Sequence, residues 1–100
     1  MKIRDIKPGM ECLTLTVEVV DIGTPKIVET RFGEAKTALA VVKDETGTIN
    51  LKLWRDQVDM IKPGDIIQIL NGFAVLYAGR VEINVGSRGR IILVKRKKFV

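Results

Sequence analysis

In the run Leu13-Thr14-Leu15-Thr16-Val17-Glu18-Val19 every second residue is aliphatic, and the same two-residue period returns in Ile49-Asn50-Leu51-Lys52-Leu53. A period of two marks a half-buried strand, because successive side chains leave a strand on opposite faces. Such strands must close on themselves or pack on a second layer, which restricts the chain to a small all-β architecture. With 100 residues there is room for one core and a single domain.

Turn signals divide the alternation. A first strand is predicted at about residues 12–22, followed by "GTPKIVETRFGEA" at 23–35, whose Gly23, Pro25 and Gly33 read as a long hairpin loop with a mobile tip. A second strand at 35–43 meets "DETG" at 44–47, a tight turn in which Asp44 can accept backbone amides and Gly47 can take positive φ. The third strand ends at Trp54, and "RDQVDMIKPGD" fits a short helix or turn plugging one end of a barrel. The fourth strand, "DIIQILNGFAVLYAG", is long enough that Asn71-Gly72 should mark a bulge or bend. Ala78-Gly79 closes the next hairpin, the fifth strand turns Val81, Ile83 and Val85 inward, and "RIILV" at 90–94 continues extended. This order is the layout of a five-stranded Greek-key oligonucleotide-binding (OB) barrel, with an SH3-like barrel as competitor. Residues 1–94 are expected to form the domain and 95–100 a basic C-terminal tail.

Trp54 breaks the pattern, standing in phase with Asn50 and Lys52 instead of Leu51 and Leu53. An indole on a polar strand face either folds over the barrel end onto the short helix or waits for something flat to stack on it. Phe73 and Tyr77 favour the second reading. They share one face about 13 Å apart, and one bulged residue at Asn71-Gly72 would put them opposite Ile67 and Ile69 in phase, leaving Ala74 and Leu76 to the core. Val75 would lie between the rings as a small platform. Stacking on such rings contributes about 1–3 kcal/mol per base and tolerates any base, whereas duplex bases are already stacked. Phosphates then need cations nearby, and Lys52, Arg55, Arg80 and Arg88 stand close in sequence, with Arg31 and Lys36 flanking the first loop.

Charge agrees with a polyanionic partner. Residues 79–100 hold seven basic side chains against one acidic, leaving ten basic and eleven acidic in the first 78. The chain has one cysteine and no histidine, which excludes an internal disulfide, a zinc site and a histidine-based triad. Cys12, beside an alternating run, is expected as a small buried hydrophobe. No nucleophile with a base, metal cluster or phosphate-cradling loop can be assembled, so neither an enzyme nor a cofactor is expected. No apolar run approaches the roughly 20 residues that cross a bilayer, and "MKIRDIKPG" is charged where a signal peptide is apolar. An intracellular, nucleoid-associated location is expected.

The runs "VVKDETGTINLKLW" and "IKPGDIIQILNGFAVLYAGRVEINVGSRGRI" resemble the single-barrel single-stranded-DNA-binding proteins of archaea and the related barrels of replication protein A. The similarity extends from "IKPGM" at 6–10 to about Leu93. It implies that Trp54, Phe73 and Tyr77 stack on bases and that Arg88 contacts the backbone. Two departures stand out: the chain ends in a short basic run without a Gly/Arg-rich or acidic tail, and Phe73 replaces the tryptophan often found there. The reading that follows is sequence-tolerant binding of single-stranded DNA in replication or repair, with possible replication or repair partners. An RNA-binding barrel, or a protein-interaction subunit using "RIILV" as a pairing edge, are the alternatives.

Overall fold

Alternation in sequence becomes alternation in burial. The structure, a computed structural model, describes residues 1–96. Along β1 (Leu13–Ile22) the side chains of Leu13, Leu15, Val17 and Val19 are buried while Thr14 and Thr16 face solvent. β3 (Gly33–Asp44) and β4 (Gly47–Trp54) form an antiparallel pair from Thr37↔Trp54 to Asp44↔Gly47, which puts Ala38, Ala40, Val42, Ile49, Leu51 and Leu53 inward together. β5 (Ile66–Tyr77) pairs with β6 (Arg80–Asn84) through the Ala78-Gly79 turn, where both residues have positive φ (51° and 79°), the geometry that suits a two-residue hairpin.

β1 pairs with β3 through one half and with β5 through the other, so the path β1-β3-β4-β6-β5 returns to β1 and closes a ring. β4 and β6 are parallel; the other pairs are antiparallel. The helix α1 (Asp56–Met60) follows β4 and, with Ile61, lays Val58 into the core. Two further strands lie off the ring. β2 (Lys26–Thr30) pairs only with β3, and β7 (Arg90–Lys95) pairs with β5 from Ile66↔Lys95 to Leu70↔Arg90.

Three expectations need correction. The segment at 23–35 is mostly not a loop: Lys26–Thr30 form β2, because β-branched Ile27, Val28 and Thr30 suit a strand that needs no apolar phase when it lies off the barrel. Cys12 is exposed, with φ of 57°, because the chain enters β1 only at Leu13. Leu76 is 61% exposed. Ala74 is the last residue of β5 to reach the core, with its N–H bonded to Met10 and its carbonyl to Gly9, and from Leu76 to Arg80 every residue is exposed. Of the expected basic tail, Lys95 ends β7 and Arg96 bonds Asp65, while residues 97–100, Phe99 included, lie outside the described residues.

The bend in β5 sets up everything on the outer face. Between Leu13↔Gly72 and Leu15↔Ile69, β5 advances three residues for two on β1, with Asn71 at φ 57°, a conformation asparagine tolerates. Before the bulge Ile67 and Ile69 are buried; after it Gly72 and Ala74 are. The reversed phase turns Phe73, Val75 and Tyr77 outward.

Candidate nucleic-acid interface

Residues opposite one another on neighbouring strands share a face, so the pairings define the outer surface of β4, β6 and β5 row by row. Lys52, Asn84 and Phe73 form one row, Asn50, Glu82 and Val75 the next, and Arg80 with Tyr77 ends the β5–β6 hairpin. Trp54 stands at the end of β4, half-buried, with its indole N–H donating to Asn84 Oδ1 at 3.4 Å and Lys52 Nζ 5.6 Å from the ring centroid. Its backbone N–H donates to Gln57 Oε1 at 3.0 Å, which ties it to α1. Phe73 is 37% exposed and Tyr77 67%.

Trp54 and Phe73 line one open groove of about 540 Å³, together with Arg31, Phe32, Arg55 and Ser87. Phe32 was missed by the sequence reading. It occupies the tip between β2 and β3, 83% exposed, with Arg31 6.0 Å from its ring centroid. Thr30 stiffens that tip: its hydroxyl donates to the Gly33 carbonyl at 2.7 Å and accepts the Phe32 N–H at 3.1 Å. The available signal was an aromatic beside an arginine at a glycine turn, which has no role in a core.

The cations are unevenly distributed. Arg31 and Arg55 line the groove, and Arg55 N–H donates to the Lys36 carbonyl at 2.7 Å with φ 54° and ψ −122°, a backbone conformation strained for any residue but glycine. Arg88 lines a second hollow of about 370 Å³ on the other side of Phe73, with Cys12 and Asn71. Its loop is held to the bulge: Asn71 Nδ2 donates to the Arg88 carbonyl at 3.1 Å, and a Cβ at Gly89 would lie 2.7 Å from the Asn71 oxygen. Arg80 borders a third hollow of about 520 Å³ with Arg4 at the Tyr77 end. Lys36 does not line the groove; its Nζ is 2.6 Å from Asp59 Oδ2. Arg96 is likewise engaged away from this face, by Asp65 at 3.1 Å.

Two carboxylates have lowered pKa values, both away from the rings. Burial pushes Asp44 up, but hydrogen bonds from the Thr46 hydroxyl and from the Ile3, Thr46 and Gly47 amides outweigh it. For Asp65 the Arg96 hydrogen bond dominates over burial, aided by the Lys62 amide and the charges of Arg96 and Lys62. Among the described residues no group of three His, Cys, Asp or Glu side chains is placed to hold a metal, and no helix is long and apolar enough to cross a membrane.

A closed five-strand ring with a helix after the third ring strand, carrying aromatics and arginines on one outer face, defines an OB-fold barrel. The model of the Ssb-like single-stranded DNA binding protein, OB fold, matches residues 6–93, and the chain belongs to that family. It is 33% identical over 90 residues to the single-stranded DNA binding protein Ssb of Saccharolobus solfataricus, which accounts for 90% of this chain and 61% of the length of that relative. A crystal structure of a domain of replication protein A from Methanococcus maripaludis is similar with a TM-score of 0.78 at 28% identity, covering 96% of each chain. An OB domain from Thermoplasma acidophilum has a TM-score of 0.83 over 100% of this chain and 91% of that one; at 20% identity the likeness concerns the fold.

Proposed function

We propose that this chain is a non-enzymatic binder of single-stranded DNA, holding unpaired bases on Trp54, Phe73, Tyr77 and Phe32 and phosphates on Lys52, Arg31, Arg55, Arg80 and Arg88. The observation that carries this reading is the groove in which two strand-borne rings and a hairpin-borne ring stand open beside two arginines. Each stacked base contributes about 1–3 kcal/mol whatever its identity, and the already paired bases of a duplex cannot use the rings. Similarity to Ssb and to a replication protein A domain supports a place in DNA replication or repair, with a nucleoid-associated location.

Titration with oligothymidine should quench the emission of Trp54, the single tryptophan. Trp54→Ala should weaken binding by about 1–3 kcal/mol. Absence of quenching, together with equal affinity for duplex and single strand, would overturn the reading.

A further inference from the structure

Among the described residues three polar side chains are buried: Thr37, Asp65 and Glu82. Two are fully accounted for. Thr37 Oγ1 donates to the Leu53 carbonyl at 2.8 Å, and Asp65 accepts from Lys62 N at 2.8 Å and from Arg96 Nε and Nη2 at 3.2 and 3.1 Å. Glu82 is 7% exposed, accepts one long bond of 3.4 Å from Asn84 Nδ2 and, among the described residues, takes part in no ion pair. Among the described residues no buried side-chain oxygen lacks a partner, so the Glu82 oxygen that Asn84 does not bond reaches the outer face, where it can accept from an incoming group.

Its position identifies the donor. Glu82 lies at the centre of the outer face, paired with Asn50 on β4 and with Val75 on β5, and Val75 separates Phe73 from Tyr77. A carboxylate only accepts hydrogen bonds and repels phosphate, so a strand crossing here must present N–H groups to it. Val75 and Glu82 are directly paired, so a base beside Val75 lies one strand spacing, about 4.8 Å, from Glu82 and can turn an edge to it. Guanine offers two adjacent donors, N1–H and the N2 amino group, that match the two carboxylate oxygens as a guanidinium does. Adenine and cytosine offer one amino group, and the single imino N–H of thymine is flanked by carbonyl oxygens that the carboxylate repels. Asn84 joins this point to the stacking site, donating to Glu82 and accepting from the Trp54 indole.

We propose that Glu82 reads the Watson–Crick edge of one guanine, giving an otherwise sequence-tolerant surface one preferred position. The proposal rests on the strand-binding reading above. It is tested by Trp54 quenching with short oligothymidines, either unbroken or carrying one internal dG or one deoxyinosine, which lacks the N2 amino group. The dG oligomer should bind about tenfold tighter than the all-thymine one, deoxyinosine should lose most of that gain, and Glu82→Gln should abolish the preference while still binding oligothymidine. Equal affinity for dG and thymine overturns the proposal, as does a preference that survives Glu82→Gln. So does a uniform tightening in that variant, which would make the carboxylate a repulsive charge only. Oligothymidine that neither quenches nor binds more tightly than duplex overturns the strand-binding reading itself. If Glu82→Gln does not melt like the parent, the dG and deoxyinosine comparison on the unaltered chain decides.

Discussion

The hairpins at the two ends of β3 are both closed by a side-chain oxygen, but one turn bonds a distant segment and the other bonds only itself. At the β3–β4 turn Asp44 accepts the Thr46 N–H at 2.7 Å, the Thr46 hydroxyl at 2.5 Å and, from far along the chain, the Ile3 N–H at 2.8 Å. Thr46 Oγ1 accepts the Arg4 N–H at 3.1 Å, and Lys2 pairs with Glu45. The turn fastens the N-terminal segment to the barrel. At the β2–β3 tip the Thr30 hydroxyl closes the turn locally, and Arg31 and Phe32 are left in solvent. Burial of an aromatic is among the larger gains a small domain can make, so a ring held out of the core at a stiffened tip indicates a different use. On the proposed reading, one hairpin serves the fold and the other the ligand.

That division can be broken at either end. The largest effect is expected for Asp44→Ala, which removes the acceptor of the Ile3, Thr46 and Gly47 amides and the Thr46 hydroxyl and should cost about 3 kcal/mol of unfolding free energy, read by urea denaturation. Affinity for oligothymidine should stay unchanged where the variant remains folded. Acid should show the same dependence. The folded-state pKa values of Asp44 and Asp65 lie below the ordinary 3.8, so their contribution is complete above that pH and is lost as pH falls through the lowered values. Asp44→Ala should therefore have a shallower acid limb than the parent chain.

Phe32→Ala should do the reverse, weakening oligothymidine by about 2 kcal/mol while the melting curve stays put. A loss of stability without a loss of affinity would erase the contrast between the hairpins. The smallest effect is expected where both roles meet in one residue. Arg55 is strained and lines the groove, so Arg55→Gly should raise unfolding free energy by about 1 kcal/mol and reduce the dependence of log K on log salt by about 0.7.

Much of this was legible from period and phase. Alternation located β1, β3, β4 and the inward side of β6, and the misplaced phase of Trp54 pointed to the outer face. Asn71-Gly72 marked the bulge because asparagine and glycine are the residues that accept positive φ or leave space for a neighbouring backbone. What stayed hidden depends on where the barrel ends and on contacts between distant segments. Phase alone could not say that Leu76 lies beyond the rim or that Cys12 precedes it. β2 was concealed because a strand off the ring has no buried side to write into its sequence. Lys36 looked like a phosphate contact because nothing local reveals that Asp59, 23 residues on, reaches its ammonium group. Phe32 was passed over because it lay in a segment read as a loop.

The bulge in β5 also determines how such a surface is inherited. Which side of the strand carries the rings depends on the extra residue between Ile69 and Gly72 being taken up as a bulge, which Asn71 at φ 57° permits. An unbulged strand of the present length would continue the phase of Ile67 and Ile69, sending Phe73 and Tyr77 into the interior and Ala74 outward, whereas loss of the one extra residue would leave the rings outside. Lineages carrying this domain should therefore tolerate loss of the extra residue and, where they keep it, hold at that position a residue that accepts positive φ.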